Sequence, residues 1–211
     1  MPPNTDTDTD TDTDNATDKY TPLLTTALTT PRSTTRPDQP SPPQTTLLHT
    51  LESTLQSQPE EGKESALSQQ TTAFLAAYPH GYPRAQWQNL ISFLAFATKA
   101  RLVALEDTAV RMLHAALERH ADEEEGDGEG LRVLISCAAV WALVMGEELW
   151  ERRGVGDEYE LDGQGVGEER ISRETWRLWI DRFQFVSLRE DLDISTRELA
   201  AGAAAVMLRV G

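Results

Sequence analysis

The best candidate for a metal site in the chain is the run Glu158-Tyr159-Glu160-Leu161-Asp162-Gly163, with Glu169 at the twelfth place. Calcium loops place oxygen ligands at alternate positions, a glycine at the sixth and a bidentate carboxylate at the twelfth. Glu stands here where the first-position Asp belongs and again at the third, and Gly165 replaces the usual apolar anchor. A solvated acidic loop accounts for the run better than a calcium site. His114 and Glu118, four apart, share a helix face, but His120 is turned to another side, and zinc needs three or four convergent ligands. Surface histidines are the simpler reading, and His49 and His80 have no evident companions. The expectation is therefore no metal.

The lone Cys137 lies inside an apolar run, so it reads as a small core residue and no intrachain disulfide is possible. A nucleophilic thiol would need exposure and a cationic neighbour. No phosphate-binding Gly-x-x-x-x-Gly-Lys-[Ser/Thr] loop and no Gly-x-Ser-x-Gly elbow occur, and Gly163-Gln164-Gly165-Val166-Gly167 follows no strand pattern. Carboxylates are abundant but crowd loop-like segments, where burial cannot tune their acidity. No catalytic residue, cofactor-binding residue or cofactor is expected. The one speculative pocket is aromatic: Trp141, Trp176, Trp179 and Phe183, with Arg197 as a cation, could floor a ligand groove. Aromatics at helical spacing more often fill a core. Arg173, Arg177, Arg182, Arg189 and Arg197 make the C-terminal part much less acidic than the rest, and pairing with the acidic loops is preferred to an anionic partner.

The elements that must hold these residues are organised around Val133 to Met145, VLISCAAVWALVM, whose only polar side chain is Ser136. A helix apolar on all sides belongs inside a bundle or a membrane. The run is shorter than the roughly 20 residues that cross a bilayer, and Arg132 and Glu147 bracket it, so it reads as the central helix of a bundle.

On either side the periodicity is amphipathic. Ser41-Pro42-Pro43-Gln44 is a capping box that starts a helix carrying Leu47, Leu48, Leu51 and Leu55. Ser57-Gln58-Pro59-Glu60 starts the next, through Leu67, Phe74 and Leu75. After the Pro79–Pro83 turn, Trp87, Leu90, Ile91, Leu94 and Thr98 mark a helix packed on one side, with a break expected between Lys99 and Ala104. Glu106-Asp107-Thr108 opens another helix. Gly146 marks a close helix contact. Ser172 caps a helix with Trp176, Trp179, Ile180, Phe183 and Val186 inward, and Asp193 or Ser195 begins the last, with Ser195 to Glu198 as a capping box. No segment alternates as a strand does.

The 211 residues divide into a disordered, acidic Thr/Asp/Pro-rich tail over 1–40 and a helical domain over 41–211, with flexible acidic loops at about 122–130 and 154–171. Thr21-Pro22, Thr30-Pro31 and Ser41-Pro42 match proline-directed kinase sites, as such pairs do in any stretch of this composition. The fold class is all-α: one bundle of six or seven helices around the central apolar helix. A net charge of −16, from 35 acidic and 19 basic residues, argues against nucleic acid as a partner. No signal peptide or transmembrane helix is evident, so an intracellular location, cytoplasmic or nuclear, without membrane association is expected.

Trp87 with Asn89-Leu90 and Phe93-Leu94-Ala95, Ala138-Ala139 with Trp141, Trp176-x-x-Trp179-x-x-x-Phe183, and Thr196-Arg197 followed by Ala203 and Met207 resemble a fungal family of helical proteins catalogued as a domain of unknown function. The resemblance covers roughly Ser41 to Gly211. It implies a fungal, intracellular, helical protein and brings no catalytic residues. The sequence leaves the function unknown. A non-enzymatic protein-interaction module with an unidentified protein partner is the leading reading, and a small-molecule-binding or catalytic protein with a pocket near the tryptophans is the rival. It does not fix the oligomeric state.

Overall fold

The computed structural model describes residues 20–57, 63–76, 83–118, 128–153 and 171–211. Among these are eight helices and no strand: α1 (Thr21–Thr29), α2 (Pro42–Gln56), α3 (Lys63–Ala76), α4 (Arg84–Lys99), α5 (Glu106–Leu117), α6 (Gly128–Arg153), α7 (Arg173–Leu188) and α8 (Ile194–Val210). The all-α expectation holds, with one helix beyond the seven anticipated. The addition is α1, inside the stretch that composition assigned to the tail.

Tyr20, Leu24, Ala27 and Leu28 are buried and form one helical stripe, too short to register in an average over 40 residues. The threonines around it are locally satisfied. The hydroxyls of Thr25, Thr26 and Thr30 each donate to the carbonyl four residues back at 2.8 Å. Asn89 of α4 then fastens the following turn, donating to Leu28 O and accepting from Arg32 N, both at 3.1 Å. Ser41 completes its capping box with Gln44 and also donates to Pro31 O at 2.5 Å. Ser41 and Thr30 are thus buried structural hydroxyls. Residues 1–19 lie outside the described residues, as does most of the second start signal after Ser57 and of the proline turn before α4.

α6 is the axis. It has 26 residues, about 39 Å at roughly 1.5 Å per residue, and is apolar enough by composition to cross a bilayer. It is mostly buried within the bundle, walled by α8, α4 and α5. It therefore serves as a core helix. Trp141 is among the largest fully buried side chains, and its Nε1 has no hydrogen-bond partner among the described residues.

α4 differs from the one-sided helix anticipated. Every residue from Leu90 to Thr98 is buried, including Ser92 and Thr98, because α1 covers the face turned away from α6. Thr98 tolerates this by donating to Leu94 O at 2.9 Å. The expected break follows Lys99: Leu102 N bonds Ala97 O and Arg101 N bonds Thr98 O, the paired closure of a Schellman turn, with Arg101 at φ 58° where glycine is usual.

A polar clasp joins α4, α6 and α8. Asp193, not Ser195, is the N-cap of α8, accepting from Thr196 N at 3.0 Å and pairing with Arg84 of α4. Arg84 also donates to Thr196 Oγ1, which lies 3.2 Å from Ser136 Oγ of α6. Partial burial alone would raise the Asp193 carboxyl's pKa. The Thr196 amide and hydroxyl and the Arg84 guanidinium outweigh it and hold it below the ordinary aspartate range.

Trp141→Ala should cost about 3–5 kcal/mol, read from denaturant unfolding; an unchanged midpoint would displace α6 from the centre of the fold. At Gly146 a Cβ would sit 2.8 Å from Val206 Cγ1, which marks the α6–α8 close approach. Gly146→Ala should gain about 1 kcal/mol of helix propensity yet lose about 1–3 kcal/mol to crowding. In a Val206→Ala background the crowding should vanish and the substitution become favourable; additive effects would refute the contact.

Candidate functional site

The aromatic wall of α7 is built by one apolar face. Ser172 caps the helix by accepting from Thr175 N at 3.0 Å, and the spacing of three and four then turns Trp176, Trp179, Ile180 and Phe183 to the same buried side. Trp179 Nε1 donates to Glu118 Oε1 at 2.8 Å, and the same oxygen lies 2.8 Å from His114 Nδ1. The His114 ring stands edge-on to Trp179, centroids 5.0 Å apart. The His114–Glu118 pair that sequence spacing singled out thus has a structural role, because it supplies the acceptor for an indole N–H that would otherwise be buried unpaired.

Trp176 points to the other end of the wall. Its Nε1 donates to Met207 O at 3.2 Å, an oxygen that also accepts Gly211 N at 3.1 Å, so the end of α8 is pinned against α7. Beside it lies an open cleft of about 300 Å³ lined by Trp150, Arg173, Trp176, Arg177, Ile180, Leu208 and Gly211. Of the five residues of the speculative pocket, Trp176 alone borders this cleft. Trp141, Trp179 and Phe183 are fully buried core, and Arg197 instead donates Nε to Ser187 O at 3.1 Å, bracing the α7–α8 corner. Sequence reasoning passed over Trp150 and Leu208. The available signal was the pair Arg173 and Arg177, one helical turn apart beside Trp176.

The arginines differ in what they do. Arg189 pairs with Asp191 at 2.6 Å, and Arg173 and Arg177 face the cleft with no ion pair among the described residues. Of the acidic loops that were to neutralise them, residues 128–130 instead open α6, with Glu129 4.0 Å from Arg84, and residues 119–127 and 154–170, with the calcium-like run from Glu158 to Glu169 and with His80 and His120, lie outside the described residues. Among the described residues no three His, Cys, Asp or Glu side chains converge as a metal set.

Cys137 borders a second, apolar space of about 40 Å³ with Trp87, Ile91, Met112, Leu134 and Leu75. Burial pushes its thiol up to about 12, against the opposing pull of the Arg32 charge. Such a thiol is inert at neutral pH. Native protein should resist iodoacetamide and label only on unfolding; prompt native labelling, followed by mass spectrometry, would contradict the burial. Because the folded value exceeds the ordinary 9.0, this group's contribution is intact below pH 9.0 and lost as pH rises toward 12. Cys137→Ala should flatten that part of the alkaline stability decline.

No curated protein matches the chain, and no solved structure matches it. A family described as "Protein of unknown function (DUF3632)" matches residues 20–183, beginning at the tyrosine that opens α1 and ending inside α7. Its start agrees with the first buried stripe rather than with Ser41, and its end leaves α8 beyond the matched span. The chain belongs to this family of proteins of unknown function.

Proposed function

We propose that the protein is a non-enzymatic intracellular interaction module, and that it meets its partner through the outer side of α7 and the α7–α8 corner. The observation that carries this is the exposure of large apolar side chains there. Phe185 is 57% exposed, Leu188 75% and Ile194 70%, and Leu178 lies two helical turns before Phe185 on the same face. Elsewhere among the described residues the core collects nearly all large apolar groups, and the other exposed examples there are Leu131 and Leu208. Several large apolar side chains left exposed along one helix and its corner, on an otherwise charged protein, are a usual mark of a protein contact. The net charge of −16 speaks against nucleic acid as that partner.

The catalytic rival draws less support. The cleft beside Trp176 is open to solvent, and no described side chain beside it pairs a nucleophile with a base. The test compares full-length protein with a Phe185→Ser/Leu188→Ser variant as baits in quantitative cross-linking from native extract. Both substitutions lie on the surface, so the melting temperature should hold. A partner recovered reproducibly by the parent and lost by the variant supports the module; identical recoveries, or none by the parent, overturn it. Light scattering on the same two proteins tells whether the partner is a second copy.

A further inference from the structure

We draw no further inference here: the strongest candidate, the exposed apolar surface patch of Leu178, Phe185 and Leu188 on α7 with Ile194 past the corner, belongs to the surface already described, and because its neighbours Asp181 and Arg182 are exposed charges of opposite sign, nothing in the structure shows what covers it.

Discussion

A helix with no wet side must be enclosed completely, and α6 imposes that demand on everything around it. Its single interior hydroxyl, Ser136, is satisfied by Arg132 O and shared with Thr196. A helix satisfies most of its backbone polarity internally, so its neighbours supply chiefly apolar surface, with Lys99 of α4 adding a donor to Val144 O at 2.9 Å. α8 and α4 do so from two directions and α5 from a third. The second consequence is that α4, having turned one face to α6, was itself left with apolar residues outward. α1 exists to cover them. The bundle is therefore nested, with one buried helix requiring a second and the second requiring a lid.

Within so much apolar contact, the few interior polar groups decide register. Asn89 fixes where the chain turns between α1 and α2, Asp193 and Arg84 fix where α8 starts against α4, and Glu118 fixes the rotation of Trp179 against α5. Each would be costly unpaired, so each penalises a slipped arrangement more than it rewards the correct one. Apolar packing alone would tolerate several rotations of a smooth helix. The clasps remove them.

Much of the architecture was legible because helices advertise themselves locally. Ser41 and Ser172 announced their caps, Gly146 its close contact, and the drift after Lys99 the break that Arg101 closes. What misled was averaging. A run of threonine and proline conceals Leu24 and Leu28 because composition weighs a window while burial depends on a stripe. α4 misled for the opposite reason: Ser92 lies off the stripe of Trp87, Leu90, Ile91, Leu94 and Thr98 and reads as a wet side, yet it is buried too in a helix that α1 also packs against. The candidate site was half legible. Trp176 and the arginines of α7 could be read from spacing, whereas Trp150 and Leu208 come from distant segments that only tertiary packing brings there.

The span shared with the family closes at Phe183, midway along α7, yet the helix that lies most intimately on α6 comes after it. Gly146 has surrendered its side chain to admit Val206 of α8, and Gly202 of α8 approaches Leu143 of α6 in the same manner. The stretch that the family model matches is hence shorter than the stretch that encloses α6. One of the two helices must be small at each of these two points, since a side chain at either glycine would meet its neighbour at 2.8 Å or 3.1 Å.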